Sequence, residues 1–216
     1  MKHITFYYDL ISPYAFLAFE KLPEALIDLS YSVHYQPVVF GAMLSHHGQL
    51  GPAEIASKRA WTYRQVLWLA RHQGVALQMP ATHPFNSLAL LRLGVACGSG
   101  GQTNRHVTET LFRHVWQGGA DAGDAARLQA LTAQLAPRRA SDSPEVKAEL
   151  RAATDAAIAA GVFGVPTMAV DGRFFWGLDA LPMLRDYLTG DPWFAGPDWD
   201  QAAALPVGVQ RSRRTA

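Results

Sequence analysis

The sequence has a single cysteine, Cys97, among its 216 residues. No intrachain disulfide and no C-x-x-C redox pair is therefore available. Charge of one sign is also lacking: 19 Lys and Arg stand against 18 Asp and Glu, a formal net charge of +1. That excludes the strongly basic balance of a dedicated nucleic-acid binder. No apolar run reaches the roughly 18 residues a membrane span needs. The opening MKHITFYYD has no secretory hydrophobic stretch, because Asp9 and the polar residues interrupt it. There is no glycine-rich phosphate loop and no Ser-His-Asp signature. His46 and His47 are immediate neighbours, a spacing that rarely ligates one metal, so no metal site is expected. From these absences we expect a soluble, cytoplasmic protein that takes neither nucleic acid nor membrane as a partner. The closing RSRRTA is basic but short, and a solvated terminus is expected there.

What is present suits one domain, or one domain with a large insertion: 49% of residues are hydrophobic and 17% charged, enough for a substantial core. Residues 3–9 (HITFYYD) are rich in strand formers and run into Ser12-Pro13. From Tyr14 to Leu29 the residues Phe16, Leu17, Leu22, Leu26 and Leu29 mark a helical face, with a kink or restart expected at Pro23. Tyr31, Val33 and Tyr35 alternate along a second strand at 31–39. A strand, a helix and a strand make a βαβ unit, whose strands should be parallel.

The middle differs. Residues 41–56 carry Gly, His and Pro and are expected to be a loop. Four helical patterns follow without a strand: Lys58–Gln73, Pro84–Cys97, Asn104–Gln117 and Asp124–Leu135. Cys97 closes the second of these, where a buried, inert thiol is expected. The six tryptophans are expected in the core or lining a pocket. After a polar linker, Ser143-Pro144 should cap a helix running to Ala160. Residues Val165–Val170 and Arg173–Trp176 then form a hairpin about Asp171-Gly172, Gly177 ends it, Asp179 is placed to cap, and Leu181–Leu188 is the closing helix. This order, β-α-β, a helical block, then α-β-β-α, predicts an α/β fold: a thioredoxin-like domain from residues 1–40 and 141–190, an all-helical insertion at 41–140, and a C-terminal tail at 191–216.

In such a fold the first helix presents its N-terminus, where free N–H groups favour negative charge. Redox members hold a thiolate there. Here the position carries Ser12, and Ala15 stands where a second cysteine would be. Ser12 can be a plain N-cap, or its hydroxyl can donate to a thiolate brought by a small molecule. Val165-Pro166, at the entry to the hairpin, fits either a cis bond, which would leave the Val165 backbone free to pair with an extended peptide, or an ordinary trans proline.

FYYDLISPYAFLA together with GVFGVPTMAVDGRFFWGLDAL resembles the 2-hydroxychromene-2-carboxylate isomerase family, which belongs with kappa-class glutathione transferases and the wider DsbA-like group. GPAEIASKRAWTYRQVLWLARHQGV and PFNSLALLRL in the insertion extend the resemblance to about Gly190. The resemblance implies bound glutathione: Ser12 matches the catalytic serine, Val165 the residue before the cis-proline, and Trp176, Gly177, Leu178 and Asp179 the segment that takes the γ-glutamyl end. Lys58 matches a lysine near the glycyl carboxylate, with Gln49 where kappa-class members have an asparagine. It also implies a small aromatic substrate beside Tyr14, Phe85 and Asn86, and leaves a homodimer open. Gln65 and Trp68 replace an Asp and an Arg frequent in the family. Ala53 and Glu54 replace the Ser-Asn of the naphthalene-pathway isomerase. The expected activity is thus glutathione-dependent isomerisation of 2-hydroxychromene-2-carboxylate or a related aromatic-catabolism intermediate. A kappa-type transferase or peroxidase, and a redox-silent peptide-binding module, are the alternatives.

Overall fold

The computed structural model describes residues 1–209; the RSRRTA terminus lies outside the described residues. Strand β1 (Lys2–Tyr8) is followed by helix α1 (Pro13–Ala25) and strand β2 (Tyr31–Pro37). Strands β3 (Thr167–Val170) and β4 (Arg173–Trp176) complete a four-stranded sheet of order β2-β1-β3-β4. β1 and β2 are parallel, as a βαβ unit requires, and β3 pairs antiparallel with both β1 and β4. Asp171 and Gly172 form the two-residue turn, both at positive φ (50° and 76°), so glycine relieves one of the two strained positions.

α1 is a single helix. Pro23 sits in its last turn, so the helix ends two residues later and no restart occurs. Between β2 and β3 lie α2 (Phe40–His47), a 3-10 turn (Pro52–Glu54), α3 (Ala56–His72), α4 (Leu88–Cys97), α5 (Arg105–Trp116), α6 (Ala125–Leu135) and α7 (Pro144–Ala159). The expected loop at 41–56 is thus partly helical. Gly48, whose composition argued for a loop, is the left-handed C-cap of α2 (φ 61°). α4 starts four residues later than expected, because Asn86 accepts from the Leu88 N–H at 3.0 Å and sets the entry there. Asn104, Asp124 and Ser143 cap α5, α6 and α7 through their side chains.

α8 (Leu181–Thr189) closes the fold, preceded by a 3-10 turn at Leu178–Ala180. Asp179 caps neither element: α8 starts from Ala180 without a side-chain cap. Beyond it, a 3-10 turn (Pro192–Ala195) and α9 (Pro197–Ala203) fold back, and Phe194 is buried against Phe175 at 6.1 Å.

One continuous core joins the sheet to the insertion. Ile4, Phe6 and Tyr8 alternate on one face of β1 and are fully buried. Phe112 of α5 packs on Tyr8 at 5.3 Å, Phe16 at 5.8 Å and Phe19 at 5.3 Å. The Tyr8 hydroxyl pairs with Thr103 at 3.0 Å; burial pushes its pKa up to about 12. Cys97 is half-buried, where a buried thiol was expected, and burial pushes its thiol up.

Candidate functional site

β1 ends at Tyr8, and the chain reaches α1 through Asp9–Ser12. Ser12 is the N-cap: its Oγ accepts from the Ala15 N–H at 3.2 Å. Its proton points to the Val165 carbonyl at 3.4 Å, longer than a good hydroxyl bond. Cap and donor are therefore compatible, since a hydroxyl accepts and donates at once. Pro13 has no N–H, and the Tyr14 N–H has no backbone acceptor among the described residues. A hydroxyl proton and a backbone N–H are thus left at the positive end of a 13-residue helix.

Val165-Pro166, whose peptide bond is cis, brings the entry to β3 against Ser12. The Gly177 N–H donates to the Pro166 carbonyl at 2.9 Å and ties the end of β4 to the same corner. Gly177 sits at φ 100°, and a Cβ there would lie 2.4 Å from the Asp179 carboxylate. We expect Gly177→Ala to weaken any ligand held at this corner at least tenfold, because both the backbone and Asp179 must shift. Equal affinity in a titration would show that the corner takes no part in binding.

These elements border a cavity of about 750 Å³, within the range of small-molecule sites. Tyr14, Val165, Trp176, Gly177, Leu178 and Asp179 all line it. Lys58 lies in a neighbouring cleft with Trp61 and Thr62. Lys58, Gln65 and Leu69 share one α3 stripe at spacings of seven and four, which puts Lys58 roughly 10 Å along the helix from the cavity wall. Gln49 is exposed after α2 and lines neither space, and neither do Phe85 and Asn86. Phe85 packs on the core beside His83, while Asn86 is engaged at the start of α4. Gln65 accepts from the Tyr14 hydroxyl at 2.6 Å and so couples α1 to α3; Trp68 is exposed and stacks on His72.

Sequence reasoning missed the far wall: Lys21 and Glu24 of α1, Gln73 at the end of α3, and Arg185 of α8. Lys21 lies seven residues after Tyr14, on the same face of α1. That spacing was visible in the sequence, but which helices it faces was not. Arg185 donates to the Ala25 and Ile27 carbonyls and so satisfies the C-terminal end of α1.

The loop that presents Ser12 is braced from below by Asp9, which is buried. Its two oxygens accept from the Ile11 N–H at 3.1 Å and the Phe40 N–H at 2.9 Å. Burial raises its pKa, and these bonds oppose the rise. Asp9→Asn should cost about 1–3 kcal/mol of stability, because one acceptor becomes an N–H donor facing another N–H. Denaturant melts check this; an unchanged midpoint would place water, not Asp9, at those amides.

Burial lowers the pKa of His114, helped by Arg127 and opposed by its contact with the Ala122 carbonyl. Its folded pKa lies below its unfolded value, so the unfolded chain binds more protons and stability falls as the pH drops below about 6.5. His114→Gln should make that acid limb shallower between pH 7.5 and 5.5 in thermal melts. A parallel curve would show the ring to be solvated.

Fold and site together define a thioredoxin-fold protein whose helix N-terminus carries a hydroxyl in place of redox cysteines, beside a small-molecule cavity. The chain belongs to the family of the DSBA-like thioredoxin domain, whose profile matches residues 3–189. It is 31% identical over 198 residues to a 2-hydroxychromene-2-carboxylate isomerase of Sphingobium xenophagum, covering 87% of this chain and 98% of that one. It is 26% identical to a kappa 2 glutathione S-transferase of Caenorhabditis elegans, over 91% of this chain and 95% of that one. The solved structure of a 2-hydroxychromene-2-carboxylate isomerase superposes with a TM-score of 0.75 at 23% identity, over 94% of this chain and all of that one, which shows the shared fold. Among the described residues no helix is long and apolar enough to cross a membrane, and no cluster of three or more His, Cys, Asp or Glu is placed to hold a metal.

Proposed function

We propose that this protein is a glutathione-dependent isomerase acting on 2-hydroxychromene-2-carboxylate or a related aromatic-catabolism intermediate. The observation that carries the proposal is Ser12. Its hydroxyl keeps a weakly engaged proton at the N-terminus of α1, against Val165, which lines the cavity together with Trp176–Asp179. The similarity to isomerases named for that substrate supports the choice of reaction.

The residues suit glutathione at the level of chemistry. The Ser12 O–H and the Tyr14 N–H offer two donors to a thiolate, and the Val165 backbone is next to them. The Asp179 carboxylate is exposed at the rim and suits an α-amine, and Lys58, along α3, suits a carboxylate. When bound, glutathione supplies a nucleophilic sulfur able to add reversibly to an electrophilic carbon. The chain's own work is to hold that sulfur deprotonated, to orient it beside Tyr14, and to stabilise charge developing on the substrate oxygen. Lowering a thiol pKa from ~8.5 by about two units requires about 2.7 kcal/mol, within reach of a helix terminus plus one charge-assisted hydrogen bond.

Calorimetric titration with reduced glutathione, followed by the absorbance change of the chromene carboxylate with and without it, tests this. Glutathione binding with turnover only in its presence is the expected result. No binding at millimolar glutathione would favour a redox-silent peptide-binding module. Binding with conjugation or peroxide reduction in place of isomerisation would make the protein a kappa-type transferase.

A further inference from the structure

Two side chains of the helical insertion reach the loop that carries Ser12. Trp116 Nε1–H donates to the Leu10 carbonyl at 3.0 Å, and His83 Nε2 lies 2.8 Å from the Ile11 carbonyl. A carbonyl oxygen only accepts, so Nε2 carries the proton. Nδ1 is then the acceptor, and the Tyr63 hydroxyl lies 2.7 Å from it. That hydroxyl also lies 2.7 Å from the His83 carbonyl, so its single proton is shared between Nδ1 and the carbonyl in a three-centre contact that ties α3 to the ring.

The Ile11 carbonyl and the Ser12 N–H belong to one rigid peptide plane. The N–H end donates to the Asp9 carbonyl at 3.0 Å, and His83 holds the other end. With both ends held, the plane cannot rotate, and the direction in which Ser12 leaves the loop is set. The ring itself is wedged between Trp116, 5.6 Å away, and Tyr63, 5.3 Å away, with Phe85 beyond.

We infer that His83 is a positioning residue for Ser12, its tautomer set by the Ile11 carbonyl and its ring steadied by Tyr63. The inference rests on the proposed thiolate-holding role of Ser12. Burial lowers the pKa of the ring, opposed by its bond to the Ile11 carbonyl, which favours the neutral form. Tyr63 lies two residues before Gln65 on α3, so a helix that lines the cavity is tied through His83 to the loop that carries Ser12, which itself is not among the lining residues. Neither residue touches a reacting atom. A histidine that merely fills space would show none of the following effects.

The test compares wild type, His83→Leu, His83→Gln and Tyr63→Phe by the thiolate absorbance of bound glutathione against pH, with imidazole nitrogen NMR on the wild type. NMR should show His83 as the Nε2–H tautomer across neutral pH. His83→Leu should move the bound thiol's titration up by about one unit, with binding of the neutral thiol changed less than about twofold. His83→Gln, which returns an N–H to the Ile11 carbonyl, should recover most of the shift, and Tyr63→Phe should fall between. If His83→Leu does not fold, the Gln and Phe variants decide. An Nδ1–H tautomer, or coincident titration curves in a wild type that lowers the thiol pKa, would overturn the anchor alone. A wild type that binds no glutathione would overturn the functional reading beneath it.

Discussion

Ser12→Ala is expected to remove most isomerase activity while leaving glutathione affinity close to that of the wild type. The hydroxyl offers one hydrogen bond, and under the proposed mechanism its partner is a charged sulfur. Losing a bond to a charged group costs roughly 1.5–3 kcal/mol for the thiolate and little for the neutral thiol. Under the same proposal affinity should survive, because the other contacts would come from Val165, Trp176–Asp179 and Lys58, and of these only the Val165 carbonyl meets the hydroxyl, at 3.4 Å. The bound thiol's pKa should rise toward its free value. Thiolate absorbance against pH, for wild type and mutant, measures this. Coincident curves would mean that backbone N–H groups alone hold the sulfur and that Ser12 is only the cap of α1. The mutant also loses the bond from the Ala15 N–H, so a stability loss of about 1 kcal/mol should accompany the functional effect.

Trp116→Ala should be the most destabilising single change, at about 3–5 kcal/mol. Trp116 is fully buried in the core that joins the insertion to the sheet, so truncation opens a large cavity. It also strips the Leu10 carbonyl of its donor and removes one wall of the His83 site. In a chain of this size the melting temperature should drop by on the order of 10 °C. Calorimetry on the full chain measures it. A drop of only a degree or two would show that the insertion and the sheet are weakly coupled. Trp116→Phe keeps most of the buried ring and loses the N–H, so comparing the two separates packing from the bond to the loop.

The sequence by itself determined those parts that depend on near neighbours. Strand β1 follows from its run of strand formers, β2 from the alternation of Tyr31, Val33 and Tyr35, α1 from Ser12-Pro13 at its start, and the β3–β4 turn from Asp171-Gly172. The Ser143 cap was legible for the same reason: its bond spans three residues. α2 was not legible, because its eight residues make a short helix with one buried side chain, and its terminating glycine has the composition of a loop. The resemblance assigned Ser12 and Val165 each to a glutathione site, but only the tertiary structure sets the contact between residues 153 apart in the chain. It alone decided that Tyr14, Gln65 and Asp179 share a cavity while Gln49, Phe85 and Asn86 stand outside it. It alone decided that His83 and Trp116 hold the serine loop. Their partners are backbone carbonyls, which are the same at every residue, so no pattern in the side chains of Leu10 and Ile11 could announce them.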